Sequence, residues 1–434
     1  MKKFDKYPQI IIKKGFGTFS SKEIKFESQF EITHYPQNTI IKTKIGDKKK
    51  NVLAQKNMGD IWELKGLTDE NISIHAKNLL FTNLSNNDLT LFSFKDLDFY
   101  KNEVHSFTSA EFPLVGFYKG NINTTIDNWE ISSNGNKGNI EIIENQCKNW
   151  NIQLEGLVLK LVKQNSSQEK YLSKANDITS LLSLALGNDI VFNRQLYFMD
   201  NELCQENWRR KADYNFGVEA CVPDLNLNHF LEKTLSNYEK WTEEKKKIFH
   251  STVTGINSSS KGFLENRLLR ICVAWEGLTE SWSKNKKSAK TELTPLKKLL
   301  KETIDNYNLP PNYDKSFIKT RVINSLDWEK LSDSLTNFSN QYFLDNKKLI
   351  LDFRSLIKIR NDIVHSGLFR KKYSKDFLIN LIYNHKLGLQ VIILKELGYD
   401  GLVVTSENKW RTFTKMEELI TNPAHNAQYK KLDR

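Results

Sequence analysis

The residue types best suited to chemistry lie close together near the end of one predicted helix. Four residues separate Arg360 from His365, and Asn361 follows Arg360 directly. A guanidinium stays charged at any ordinary pH, so Arg360 can hold the negative charge that grows on a phosphate. An imidazole can accept or donate a proton near neutral pH, so His365 suits the role of a proton carrier. This pair suits cleavage of RNA by its own 2′-hydroxyl, a reaction that needs no metal ion.

A helical projection of Ile350 to His365 explains why Arg360 needs a partner. At about 100° per residue the apolar side chains form one broad arc, and Arg360 lies inside it. A buried guanidinium is costly without a carboxylate, and Glu276, in an otherwise apolar predicted helix, is the candidate partner. A structural interpretation stays open, in which Arg360 forms an ion pair, His365 caps the helix and Glu276 faces solvent. The arc consists of Phe353, Leu356, Ile357, Ile363 and Val364.

Polar residues on and after this helix are candidates for binding RNA. The side of the helix opposite the apolar arc carries Arg354, Lys358, Asn361 and His365. Asn361 is one turn before His365 and is expected to orient the imidazole or a phosphate oxygen. Cations flanked by aromatic rings can bind phosphates and stack unpaired bases, although a solvated turn is an equal alternative here. These flanking candidates are Arg370, Lys371, Lys372 and Tyr373.

Helical periodicity in the second half of the chain predicts the elements that position these residues. Apolar residues recur there at helical spacing, and proline, glycine or polar segments separate the runs. Ser366-Gly367 predicts the end of the helix that carries His365. The predicted helices lie near Asn228 to Thr252, Lys261 to Trp282, Pro295 to Tyr307, Trp328 to Phe343, Asn346 to His365 and Lys375 to Leu397.

The first 160 or so residues instead predict antiparallel strands. Ile24, Phe26, Phe30 and Ile32 alternate with polar residues and share one face. The more continuous apolar run from Ile152 to Val162 predicts a covered strand. A helix from Asp177 to Leu186 is expected next, with Asp177 as its cap and Gly187 as its end. The fold class is therefore α+β, with a mostly β N-terminal domain and an all-α helical bundle.

Composition limits the classes of protein to consider. The chain has 434 residues, 39% of them hydrophobic, which suffices for two cores. Its net charge of +12 favours a polyanionic partner, although the charge alone is weak evidence. Without an apolar run of about 18 residues, we expect a cytoplasmic protein with no membrane contact. No metal site and no cofactor are expected, because neither paired cysteines nor clustered histidines and carboxylates occur.

The motif in its context resembles the HEPN family of ribonucleases. Arg360-Asn361 and His365 match the family motif, at the end of a long helix that follows a helix containing Glu276. The resemblance covers about 228 to 400 and implies a homodimer through this domain that cleaves RNA to a 2′,3′-cyclic phosphate and a 5′-hydroxyl. The N-terminal part is similar, more loosely, to the region that precedes the HEPN domain in ApeA-like abortive infection proteins. That likeness implies anti-phage defence, a phage-derived trigger and structured RNA such as tRNA as substrate.

These observations predict four segments and leave rival functions open. The segments are a sensor or regulatory domain at 1–205, a connection at 206–227, the helical domain at 228–400 and an extension at 401–434. One rival is a non-catalytic HEPN module that binds RNA or a protein partner. Another is a ligand-sensing β domain whose helical half mainly dimerises.

Overall fold

The computed structural model divides the chain into two units. The described residues are 11–21, 24–34, 39–44, 61–84, 89–93, 96–101, 105–116, 120–134, 155–209, 220–282, 294–308, 310, 313–327, 331–343, 349–367, 369, 373–407 and 410–421. The first unit comprises Met1–Lys240 and Leu397–Phe413, and the second comprises Trp241–Glu396 and Thr414–Arg434. The chain therefore leaves the first unit once and later returns to it.

The first unit is built on one large antiparallel sheet. Alternation of apolar and polar residues places every second side chain of many strands on a covered face. The strands are β1 (Ile11–Ser20), β2 (Lys25–His34), β3 (Thr39–Lys44), β4 (Ile61–Thr68), β5 (Ser73–Leu84), β6 (Leu89–Ser93), β7 (Asp96–Tyr100), β8 (Phe107–Val115), β9 (Asn123–Ile126), β10 (Trp129–Asn134), β11 (Glu155–Ser166), β12 (Val191–Phe192), β13 (Arg194–Met199) and β14 (Glu202–Arg209).

Six of these strands close into a ring. Their order is β4-β1-β2-β3-β6-β5, and β4 also pairs with β5, so each of the six has two neighbours. Aromatic and aliphatic side chains fill the interior, including Phe19, Phe26 and Trp62. Phe19 and Phe26 stack with ring centroids 5.1 Å apart. The interior is thus a packed core, as expected for a small closed sheet.

The remaining strands continue the sheet beyond β5. The order from there is β7-β14-β13-β8-β11-β10-β9, with β12 paired to β8. Helix α1 (Gln168–Leu186) packs on β8 and β11, and α2 (Leu227–Glu239) packs on β9 and α1. The returning segment carries the hairpin of β15 (Leu402–Glu407) and β16 (Trp410–Lys415). It is joined to this unit where the Val404 amide donates to the Cys221 carbonyl at 2.8 Å.

The described residues of the second unit are almost entirely helical. The long helices α4 and α9 bury the most residues, and α4 contacts α3, α7, α8 and α9. Apolar residues at helical spacing explain these contacts, because each helix buries one stripe against its neighbours. The helices are α3 (Glu243–Ser258), α4 (Leu264–Trp282), α5 (Thr294–Asn306), α6 (Lys315–Asp327), α7 (Leu331–Phe343), α8 (Phe353–Ser366), α9 (Lys375–Glu396) and α10 (Met416–Thr421).

Helix α9 is apolar because it lies in the core. Among the described residues it alone has the length and hydropathy to cross a membrane, yet 72% of its most apolar window is buried. It packs against α3 and α4. Its hydropathy is therefore explained by burial within the second unit.

The predicted α+β class is confirmed, but several element bounds are corrected. Helix α1 begins at Gln168, nine residues before the predicted cap at Asp177, because Tyr171, Lys174 and Ala175 add another buried turn. Gly187 ends it in the left-handed conformation at φ +66°, as predicted. The predicted helix from Asn228 to Thr252 is two helices, since the Thr242 side chain caps α3.

The predicted domain bounds also differ from the two units. The boundary lies after Lys240, whereas the predicted connection at 206–227 begins within β14, in the middle of the large sheet. The strand has three buried polar residues, Gln205, Glu206 and Asn207. Because they are polar, the sequence pattern was interpreted as a connection rather than a strand. Helix α6 was missed altogether.

Candidate functional site

Local capping fixes both ends of helix α8, which carries the predicted motif. The Asp352 carboxylate accepts a hydrogen bond from the Ser355 amide at 3.0 Å and starts the helix. Gly367 ends it at φ +74°, and its amide donates to the Ile363 carbonyl at 2.7 Å. The predicted start at Asn346 is wrong, because residues 349–352 are not helical. The predicted end is confirmed within one residue.

The buried face of α8 packs on α4 and α7. Phe353, Leu356 and Ile363 are buried, as the apolar arc predicted, and so is Ile359, which the arc left out. Val364 is wrongly placed in that arc, since it is 58% exposed. The four buried residues are spaced by three, three and four positions, which places them on one face of the helix.

Arg360 lies at the edge of this buried face and pairs with Glu276. The guanidinium Nη2 is 3.6 Å from Glu276 Oε1, and the two side chains are 33% and 30% exposed. Nη1 also donates to Asn361 Oδ1 at 3.1 Å. The carboxylate partner expected for Arg360 is therefore present, and the pair is half-exposed rather than buried.

The ion pair has a buried thiol beside it. Cys272 is one turn before Glu276 on α4 and is completely buried. Burial and, less strongly, the charge of Glu276 raise the pKa of the Cys272 thiol to about 12, against an opposing effect of the charge of Arg360. The thiol thus stays protonated and is unsuited to act as a nucleophile.

His365 is in the last turn of α8, and its side chain is exposed to solvent. Arg354, Lys358 and Asn361 are exposed on the same side of the helix. The polar stripe that the helical projection predicted is therefore confirmed as an accessible surface. An exposed imidazole in this position can transfer a proton to or from the ribose oxygens beside a bound phosphate.

A groove lies beside the stripe, between α7 and α8. Its volume is about 590 Å³, and it is open to solvent. Three residues of the predicted polar stripe line it, together with Ile357 of the predicted apolar arc and two residues that the sequence analysis did not single out. Ser332 and Asp333 were missed because they begin a separate helix, and only the packing of α7 on α8 brings them to the site. The lining is Ser332, Asp333, Arg354, Ile357, Lys358 and Asn361.

Three buried aromatic side chains pack together where α4, α8 and α9 meet. Trp275 of α4, Phe353 of α8 and His385 of α9 meet at centroid distances of 4.9 Å for Trp275–Phe353, 4.8 Å for Phe353–His385 and 6.0 Å for Trp275–His385. Burial lowers the pKa of His385 to about 4, against a weaker opposing effect of Asp352. At neutral pH this histidine is therefore an uncharged core residue that fixes the relative positions of three helices.

The structure leaves part of the predicted RNA-binding set undescribed. Arg370, Lys371 and Lys372 lie outside the described residues. Tyr373 is half-buried and stacks on Phe377, with ring centroids 5.9 Å apart and planes 14° from parallel. One face of the Tyr373 ring is thus already used within the protein.

The donor sets of the described residues include no group of three His, Cys, Asp or Glu side chains that could hold a metal ion. Compared with known proteins, the chain matches no family model, no curated protein and no solved structure. Its function must therefore be inferred from these residues and their geometry.

Proposed function

We propose that the protein is a metal-independent endoribonuclease of the HEPN kind, with its site on helix α8. The observation that carries the proposal is the placement of Arg360, Asn361 and exposed His365 in the last two turns of one helix, with Asn361 bonded to Arg360 and lining an open groove. Glu276 holds the guanidinium without burying it. This helix end thus carries a permanent cation and a proton carrier that are both accessible to solvent.

The chemistry follows from the two ionisable groups. A base takes the proton of the 2′-hydroxyl, the 2′-oxygen bonds to phosphorus, and the bond from phosphorus to the 5′-oxygen breaks. An acid protonates the departing 5′-oxygen, so the products are a 2′,3′-cyclic phosphate and a 5′-hydroxyl. His365 moves the proton, Arg360 stabilises the charge on the phosphoryl oxygens, and Asn361 positions the guanidinium.

The reaction requires both an acid and a base, whereas one imidazole serves one role at a time. A two-fold homodimer through the helical unit supplies a second His365 to the same cleft. We include this dimer in the proposal. We further propose that the dimer acts in the cytoplasm during abortive infection. The β-rich unit senses a phage-derived trigger, and the substrate is a structured RNA such as tRNA.

One observation favours a second candidate, a non-catalytic module that binds RNA or a protein partner. Arg360 already has two partners within its own chain, Glu276 and Asn361. That arrangement is what a purely structural ion pair requires. In this case His365 would be an exposed residue at a helix end, without a role in proton transfer.

The test compares wild type with His365→Ala in cells, by mapping RNA ends that carry a 5′-hydroxyl, under phage challenge and on overexpression. His250→Ala is the matched control, because His250 is another exposed histidine of the second unit. Cuts that occur in the wild type and in His250→Ala but not in His365→Ala support the nuclease. Identical profiles from all three folded proteins would overturn it and leave the non-catalytic module.

A further inference from the structure

We infer that the groove between α7 and α8 binds one unpaired nucleotide of the RNA, and that Asp333 selects guanine there. This inference rests on the proposed function, since it concerns the same surface. The groove has about 590 Å³, within the roughly 300–1,000 Å³ of small-ligand sites.

One wall of the groove suits phosphate. Arg354 and Lys358 are one turn apart on α8 and both are exposed. Within the described part of the chain neither forms an ion pair, so their charges are available to a ligand. Two cations on one helix face match consecutive phosphates of a strand that runs along α8 toward His365.

The other wall suits a base edge. Asp333 is exposed in the first turn of α7, and the Ser332 hydroxyl donates to its carboxylate at 3.3 Å. A carboxylate only accepts hydrogen bonds. Guanine presents two adjacent donors, N1–H and the N2 amino group, to both oxygens of one carboxylate. Uracil presents one N–H between two carbonyls, which repel the carboxylate.

The floor and the spacing complete the site. Ile357 is half-buried between the walls and offers an apolar surface to the face of a base. Lys358 is seven residues from His365, about 10 Å along the helix and so one to two nucleotides of an extended strand. The guanine therefore lies close to the scissile phosphate, and the cut should occur at a fixed offset from it.

Binding of short RNAs to the His365→Ala protein tests this inference without cleavage. The probes are fluorescent pentanucleotides, five uridines or the same with a central guanosine. We expect the guanosine probe to bind about tenfold more tightly, from the 1–3 kcal/mol of a bidentate contact to a base. Asp333→Asn should remove the preference. A merely structural Asp333, stabilising the first turn of α7, would lower stability without changing base preference.

The cationic wall has a different signature. Arg354→Ala with Lys358→Ala should weaken both probes equally and reduce the salt dependence of log affinity by about 1.4, the value for two phosphates on a single strand. Lys298→Ala with Lys301→Ala is the control, because these are exposed lysines on α5. Equal binding of the two probes in the presence of Asp333, or wall variants that behave like the control, would overturn the inference.

The same proteins separate this inference from the proposed function. Wild-type cleavage with no guanosine preference would sink the groove assignment and leave the nuclease intact. Guanosine preference without any His365-dependent cleavage would sink the nuclease and leave the groove as the site of a binding module. If neither probe binds while the wild type still cleaves RNA, the groove assignment fails and the nuclease stands.

Discussion

Each unit contains a cluster of charged residues, which is buried in the first unit and partly exposed in the second. In the first unit Glu206 is buried and fully matched: Arg194 Nη2 lies 3.2 Å and Lys13 Nζ 3.5 Å from its carboxylate, and the Trp208 indole donates to it at 2.6 Å. In the second unit Arg360 and Glu276 are 33% and 30% exposed at 3.6 Å, and the groove along the same helix is lined by the cations Arg354 and Lys358 and the carboxylate of Asp333. A buried cluster whose charges are matched is explained by its contribution to the fold alone. An exposed cluster with excess positive charge calls for an anion from outside.

The comparison predicts that the first cluster governs stability. Glu206→Ala removes the buried carboxylate that Arg194, Lys13 and the Trp208 indole share, so we expect a loss of about 3–5 kcal/mol in the free energy of unfolding. Glu276→Ala should lose only about 1 kcal/mol, because its pair is screened by solvent. Urea unfolding followed by circular dichroism measures both. Equal losses would mean that the two clusters do not differ in kind.

The second cluster should govern cleavage instead. Arg360→Ala is expected to slow RNA cleavage by about 100- to 1,000-fold, the effect of removing a donor to the developing charge. Arg360→Lys keeps the charge but loses the planar fork, so it should recover part of the rate. Single-turnover cleavage of a labelled RNA measures both variants. A full rate for Arg360→Ala in a folded protein would place Arg360 with the structural ion pairs.

Acid should weaken the second unit through His385. Its pKa is about 4 when folded and near about 6.5 when unfolded, so the unfolded chain binds more protons between these values. Stability is full above pH 6.5 and falls as the pH approaches 4, by roughly 3 kcal/mol in total.

His385→Phe removes this titration while keeping a ring between Trp275 and Phe353. Unfolding free energies of wild type and His385→Phe, measured from pH 7 to 4, should therefore diverge. Parallel curves would show that His385 does not control the acid response.

The smallest effects should come from two glycines with opposite backbone demands. Gly367 has a left-handed φ of +74°, so Gly367→Ala should cost about 1 kcal/mol although nothing crowds the added carbon. Gly277 lies inside α4 with open space beside it, so Gly277→Ala should stabilise by about 0.5–1 kcal/mol. Melting temperatures that move in the same direction would contradict these assignments.

Sequence patterns predicted the motif helix, its end at Gly367 and the partner of Arg360, because each depends on local periodicity or on a simple need for opposite charge. They did not predict where α8 begins. Apolar residues before Asp352 extend the helical pattern, and only the hydrogen bond from Ser355 shows which residue caps it. The groove could not be predicted from the sequence, for a different reason. Ser332 and Asp333 carry no motif and join the site only through tertiary packing.

Strand β14 shows the same limit in the first unit. Its buried Gln205, Glu206 and Asn207 break the expected alternation, because their partners lie on other elements. A sequence pattern records hydrophobicity but not the pairing that makes a buried polar residue tolerable.

The return of Leu397–Phe413 to the first unit sets an order of synthesis. A ribosome finishes the whole segment Trp241–Glu396 before it makes the residues that complete the β-rich unit. Until Val404 has been synthesised, the Cys221 carbonyl lacks the hydrogen bond from the Val404 amide. Helix α8 and the rest of Trp241–Glu396 are therefore translated while the unit proposed to regulate them is still incomplete, so each new molecule passes through an interval in which that unit cannot yet act as a finished regulator.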